Sequence, residues 1–447
     1  MENTSLGFKR MVRAVIPAFL LAVSVGQIYA FTNFATEIRD HLASQYIAQE
    51  VFNHPEELKI AMSELMAKVQ FAFSLGIFFL GMGAAFFGKI VERNIRLSTI
   101  IGTTLFISGL LVTALGVKMK SLALIYLGYG FLVGTGTGII YISPVKTMML
   151  WFPNAKAIAA AVPIISFGLG STLSTLLYKG FSFGGPDAMF AMAFRGFYDF
   201  FGVAKETWKI QYVFLAFAVF YLVPMAVSAF ILKKPRVEQM SFAHGLPQCE
   251  FTYLGLAKDT YFLRAWLFMF LNISCGLCLI PLAKQMMDTP AVAYPENLAK
   301  WVIALCGIMN GGGRFLFAWW SDRLAHRVNI LLFILGISAG VMTASWWPPL
   351  IGLALLVINA CYGAGFSVIP GILADHYGMT NISKIHGAVL SAWGVAGLVG
   401  NQAAILVSDK LGFGHTGVVT MLVVLYLLNF VNAFSLCRSR LSEGAME

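Results

Sequence analysis

The chain has 447 residues, 58% of them hydrophobic and only 12% charged, with a mean hydropathy of +0.77 and a net charge of +10. Soluble domains carry about 25% charged residues, so a water-soluble fold of this composition could not cover its own surface; the aliphatic and aromatic content also excludes disordered, collagen-like and small disulfide-scaffold chains. A polytopic membrane protein remains, and its basic residues fall in short clusters between apolar runs rather than in a stripe with interleaved aromatics, which argues against nucleic acid as a partner.

A membrane-crossing helix needs about 20 mostly apolar residues. About twelve such runs follow one another, at roughly 14–37, 64–88, 97–117, 122–150, 156–178, 211–232, 263–286, 299–319, 328–346, 349–373, 385–408 and 416–437. They are long and continuous, without the ten-residue alternating blocks of a barrel, so helices are expected. The first run is too long for a signal-peptide core and lacks a small-residue cleavage pattern, which makes it a retained helix. Lys9, Arg10 and Arg13 precede span one, and Lys89, Arg93 and Arg96 lie between spans two and three. Lys233, Lys234 and Arg236 follow span six, Arg323 and Arg327 follow span eight, and Arg438 and Arg440 follow span twelve. With an even number of spans all of these fall on one side, which the positive-inside bias makes cytoplasmic, with both termini there, in an inner or plasma membrane. Two external insertions, 38–63 and 179–210, read equally as solvated loops or as short amphipathic helices at the interface.

The polar stretch 233–262, opening with Lys233-Lys234-Pro235-Arg236, divides the spans six and six. The expected fold is an all-α polytopic membrane protein of twelve transmembrane helices in two pseudo-symmetric six-helix bundles, 1–232 and 263–447, joined by a cytoplasmic linker, 233–262. Cys275-x-x-Cys278 lies inside an apolar run with no second pair or histidine beside it, so helix packing is the better reading than a metal or redox site.

An internal repeat supports the two halves. Gly88-x-x-x-Glu92-Arg93-x-x-Arg96 follows span two, and Ala318-x-x-x-Asp322-Arg323-x-x-x-Arg327 follows span eight, about half a chain later. Spans four and ten echo one another, with Tyr129-Gly130 and Tyr362-Gly363 leading to Pro144 and Pro370. Paired halves with a site between them are a common layout of secondary transporters.

At these residues the chain resembles the major facilitator superfamily, with Glu92 where aspartate is usual and Ala318 in place of glycine. Tyr29-Ala-Phe-Thr, Gly138-Ile-Ile-Tyr141-x-Ser-Pro144 running to Trp151-Phe-Pro153, Phe270-Leu-Asn-Ile-Ser-Cys-Gly276 and Ala392-Trp393-Gly394-Val-Ala-Gly397 resemble the oxalate/formate antiporter family, related to the monocarboxylate transporters. That resemblance implies a carrier, and it implies an anion-binding role for an arginine in span eight.

Arg314 is the sharpest single signal. It lies inside span eight, where a charge costs from about 2.5–3.5 kcal/mol on insertion scales to 10–17 on an isolated helix. No Asp or Glu falls in the middle of any span. A guanidinium without a carboxylate partner in the protein is suited to one in a substrate, whose geometry its planar fork matches. The other reading is an arginine that snorkels to the interface or bonds backbone carbonyls. Asn310 lies one turn earlier on the same face; by resemblance to the proton-coupled monocarboxylate transporters an aspartate would stand there, and asparagine cannot titrate. By resemblance to the oxalate carrier a lysine would stand near Trp393; an indole suits a monocarboxylate or a partly apolar anion instead, or Trp393 packs between helices. Tyr29, Tyr141 and Tyr362 are candidates to donate to a carboxylate or simply to pack, with Gln27, Asn33, Asn272 and Ser391 weaker candidates. Glu92, Arg93, Asp322, Arg323 and Lys146 form the gating set; Lys146 alternatively snorkels or adds a second cation. His386 and Lys384 read as interfacial.

No nucleotide-binding loop, catalytic set, metal site or cofactor motif is evident, so an ATP-driven pump and an enzyme are excluded. The expected function is secondary transport of a small carboxylate by alternating access, as exchange, with a monomer in the lipid bilayer. A proton-linked lactate- or pyruvate-type symporter is one alternative, and a non-transporting membrane sensor is another.

Overall fold

In a computed structural model, residues 7–46, 55–183, 210–235, 252–288, 295–345, 347, 350–407 and 411–443 are described. Among them the chain is helical, and twelve long helices follow the twelve apolar runs in order. They are α1 (Gly7–Tyr46), α2 (Pro55–Arg93), α3 (Ile95–Lys118), α4 (Leu122–Trp151), α5 (Lys156–Phe183) and α6 (Ile210–Ile231). After a one-turn helix at Tyr253–Leu256 come α7 (Thr260–Asp288), α8 (Glu296–Ser321), α9 (Asn329–Ala344), α10 (Ile351–Tyr377), α11 (Ile382–Ile405) and α12 (Gly414–Glu443). Ten of the twelve are long and apolar enough to cross a membrane, and α9 is a shorter apolar helix.

The insertion at 38–63 is neither a loop nor a separate interfacial helix over most of its length. Helix α1 runs on to Tyr46 and α2 begins at Pro55. Phe34, Ile38 and Leu42 are fully buried at four-residue spacing, so one apolar stripe carries α1 beyond its expected end. His41 Nε2 meets the Val117 carbonyl at 3.1 Å, and the Leu122 N–H donates to the Tyr46 hydroxyl at 3.4 Å, which ties this extension to the turn between α3 and α4. Most of the second insertion, 184–209, lies outside the described residues.

The chain forms two compact units. The first comprises Met1–Gly83, Asn94–Pro144 and Ser166–Lys233. Within it α1 tightens to 3-10 geometry over Gly26–Ala30, and the Tyr129 hydroxyl of α4 donates to the Ile28 carbonyl at 2.8 Å. That bond provides a partner for main chain that the regular helix no longer engages, as membrane depth requires. Helices α1 and α5 touch backbone to backbone here: a Cβ on Gly26 would lie 2.0 Å from the Phe167 carbonyl oxygen.

The second unit comprises Ala84–Arg93, Val145–Ile165 and Lys234–Glu447. Its packing gathers the end of α2, the end of α4 and the start of α5 with the helices from α7 onward. Cys278 Sγ lies 2.7 Å from the Gly400 carbonyl, joining α7 to α11.

Candidate functional site

The Arg314 side chain is set by a close helix crossing. A Cβ on Gly313 would stand 2.1 Å from the Ala360 carbonyl oxygen, and one on Gly363 would stand 2.2 Å from the Asn310 carbonyl oxygen and 3.1 Å from Arg314 Cγ. Helices α8 and α10 therefore meet at main-chain distance, which small residues permit, and the Arg314 stem lies along α10. The residue is only 7% exposed. Its Cζ sits 5.4 Å from the centre of the Phe366 ring, within cation–π range. Nη1 donates to the Ile164 carbonyl of α5 at 2.5 Å, while Nε is buried without a hydrogen-bond partner among the described residues. Among the described residues no carboxylate pairs with it. The backbone-carbonyl alternative is thus present for one nitrogen of the three.

Five of the six predicted binding residues meet one of two phenylalanines that the sequence reading passed over. In the second unit Phe366 meets Tyr362 at 5.4 Å and Trp393 at 4.8 Å, both edge-on. Trp393 and Tyr362 are buried, and the Tyr362 ring rests on Gly276, where a Cβ would approach it to 2.4 Å. Asn310 is half-buried one turn before Arg314. In the first unit Phe167 meets Tyr29 at 5.5 Å and Tyr141 at 5.3 Å. The available signal was an aromatic ring inside a glycine-rich span, a pattern that Phe167 and Phe366 share. Three weaker candidates make structural bonds: Asn33 Nδ2 to Thr175 at 2.7 Å, Asn272 Nδ2 to the Tyr362 carbonyl at 3.4 Å, and Ser391 Oγ accepting from Trp266 Nε1 at 2.9 Å.

The residues expected to gate divide sharply. Glu92 forms an ion pair with Lys146, side chains 12% and 5% exposed, and its Oε1 accepts the Ser383 N–H at the start of α11 at 2.5 Å. Lys234 Nζ donates to the Glu92 carbonyl at 2.8 Å, and burial draws this lysine below its ordinary pKa. Asp322 accepts the Ala157 N–H at 3.0 Å and the Ile158 N–H at 2.8 Å, capping the start of α5. It also pairs with Arg327, which reaches Asp375 at 2.6 Å, and Asp375 takes Lys156 at 3.1 Å. Burial alone would lower the Arg327 pKa, but Asp375 and Asp322 hold it above its usual value. Arg93 and Arg323 are both exposed; Arg323 stacks over Trp319 at 3.8 Å and donates to its carbonyl at 2.9 Å. Arg96 lies over the Phe230 ring at 4.8 Å. Lys384 lies over the Tyr253 ring at 4.9 Å, and His386 is buried rather than interfacial.

The Glu92–Lys146 pair and the Asp322–Arg327–Asp375–Lys156 chain can hold helix ends together through charge, and Arg314 can bind an anion. The sequence profile of the Major Facilitator Superfamily matches residues 18–401. The uncharacterized MFS-type transporter YhjX of Escherichia coli (strain K12) is 25% identical over 337 residues, covering 74% of this chain and 77% of the relative. The oxalate:formate antiporter of Oxalobacter formigenes is 18% identical over 430 residues, covering 94% and 90%. Among solved structures, the proton:xylose symporter XylE bound to 6-bromo-6-deoxy-D-glucose superposes with a TM-score of 0.66 at 14% identity, over 94% of this chain and 95% of that one.

Proposed function

The chain belongs to the major facilitator superfamily, and from that premise we propose that it is a secondary transporter of small organic anions of the monocarboxylate type, with the substrate carboxylate held by Arg314. One observation carries the reading. A guanidinium more than nine-tenths buried in an apolar helix has no acid beside it among the described residues and keeps a buried N–H unbonded. Such a group is costly unless something completes it, and a planar carboxylate fits its fork. The oxalate:formate antiporter, a distant relative over nearly the whole chain, is consistent with an anionic substrate.

In this reading Tyr362, Trp393, Asn310, Tyr29 and Tyr141 shape the path of the anion. One buried cation beside aromatic rings favours a single carboxylate over a dianion. Alternating access exposes the site to each side in turn, with Glu92, Lys146 and Asp322 as gating charges whose pairings change during the cycle. Transport is exchange, in an inner or plasma membrane, with a monomer carrying both termini in the cytoplasm.

The test is counterflow in proteoliposomes. Vesicles loaded with unlabelled formate or pyruvate should accumulate the labelled anion, and Arg314→Ala should lower uptake at least about a hundredfold, since two charge-assisted hydrogen bonds are lost. Uptake of a carboxylate that is indifferent to this substitution would overturn the role of Arg314. Uptake that follows an imposed pH gradient with no response to internal anion would replace exchange by proton symport.

A further inference from the structure

We propose that the main-chain carbonyl of Ile164 positions the substrate-binding guanidinium, taking up Nη1 and reserving the Nε–Nη2 edge of Arg314 for one carboxylate bound side-on. The inference rests on the role of Arg314 proposed above and adds how the anion docks and what orients its receptor. A guanidinium offers five N–H donors in a fixed plane. Nη1 is committed to the Ile164 carbonyl and Nε is buried with no partner among the described residues. An anion docking end-on, across Nη1 and Nη2, would leave the Nε–H buried and unsatisfied, whereas a side-on carboxylate satisfies Nε and Nη2 together.

The carbonyl is delivered by a small-residue seam. Ala157 and Ala161 of α5 pack on Ala318 of α8, all fully buried, with Ile165 against them. Arg314 and Ala318 lie four residues apart on one face of α8, and Asp322, four residues further, caps its end. Opposite them stand Ile164, the alanine pair, and the Ala157 and Ile158 N–H groups that Asp322 accepts. The methyl of Ala318 therefore sets how close the Ile164 carbonyl comes to Arg314, and Ala318 acts as a positioning residue although it touches no substrate.

Two measurements on the full chain in detergent test this. With arginine labelled at 15Nε, and the Arg314 signal identified by its loss in Arg314→Lys, sodium pyruvate should move the Arg314 Nε–H resonance downfield while sodium chloride leaves it in place. In thermal-shift titrations, Ala318→Val should weaken pyruvate binding about tenfold, as expected for one misplaced charge-assisted bond, while Ala318→Ser stays within about twofold. Should Ala318→Val fail to fold, Ala318→Gly replaces it: without the methyl that sets the spacing pyruvate binding should again weaken, and unchanged affinity there would overturn the positioning role. Pyruvate binding that is abolished by Arg314→Ala yet leaves the Nε–H resonance unmoved would overturn side-on docking and leave the proposed function standing. Unchanged affinity in folded Ala318→Val would overturn the positioning role of the seam. No binding by the unaltered chain across formate, pyruvate, lactate and oxalate would overturn both readings together.

Discussion

The starts of α11 and α5 are both capped by an acid from the loop end of another helix, and the two junctions distribute their charge differently. At α11 one carboxylate serves both a backbone cap and a cation: Glu92 accepts the Ser383 N–H with Oε1 and pairs with Lys146 through Oε2. At α5 the work is shared. Asp322 spends both oxygens on main-chain N–H groups, and the cation beside it, Arg327, has a second acid in Asp375, which in turn holds Lys156. The repeated sequence motif therefore yields the same backbone cap twice but two electrostatic designs. A junction with one acid fails when that acid is lost, whereas a chain of four charges keeps part of its compensation. Glu92, one methylene longer than the usual aspartate, presents one oxygen to a lysine and the other to a helix start.

The difference ranks the outcomes of substitution. Glu92→Ala should be the most damaging, because it leaves Lys146 in its 5% exposed site with no acid. Removing one partner of a buried pair costs about 3–5 kcal/mol. Thermal unfolding in detergent measures this, and adding Lys146→Met to the same chain should recover most of the loss. If the double variant unfolds as early as the single one, an unpaired lysine is not the cause and the one-acid account of this junction fails.

Asp322→Asn should cost less, about 1–3 kcal/mol, from a weakened cap and a lost charge pair. Asparagine still offers one oxygen to the α5 start, and Arg327 keeps Asp375. A larger loss than that of Glu92→Ala would reverse the comparison and make the four-charge chain the more fragile of the two.

How much of this could be read from sequence follows the physics of each signal. Apolar runs of membrane length are local and dense, so all twelve helices were legible, and so was Arg314, a lone charge inside such a run. The acid–arginine repeat was legible as a motif because both copies are contiguous. The extension of α1 was missed because a hydropathy window fails once charged residues enter, although Phe34, Ile38 and Leu42 kept the helical period throughout. Partners distant in sequence carried no local mark: Asp375 lies 48 residues from Arg327, and Lys156 lies 219 from Asp375. The Ile164 carbonyl is backbone, which a reading of side chains does not see. Phe366 and Phe167 share glycine-rich surroundings in sequence, but which candidate residues meet them is set only by three-dimensional packing.

Arg93→Gln and Arg323→Gln should have the smallest effects, within about 0.5 kcal/mol of unaltered stability for exposed Arg93 and about 1 kcal/mol for Arg323, which gives up an exposed stack on Trp319. Both arginines directly follow the capping acid in the repeat, which marked them for the same task as the acids. A helix places consecutive residues about 100° apart, and the turn that ends α8 at Asp322 keeps its neighbours on different faces. Asp322 turns toward the α5 start, while Arg323 turns out to Trp319, and the arginine that does join the acid is Arg327, five residues away. The informative measurement is therefore the difference between two arginines of one loop. Arg327→Gln should destabilise clearly, since it strips Asp322 and Asp375 of their shared cation, and Arg323→Gln should not. Equal losses at both positions would mean that the loop works through its total charge, and the pairings that distinguish the two junctions would then have no separate energetic role.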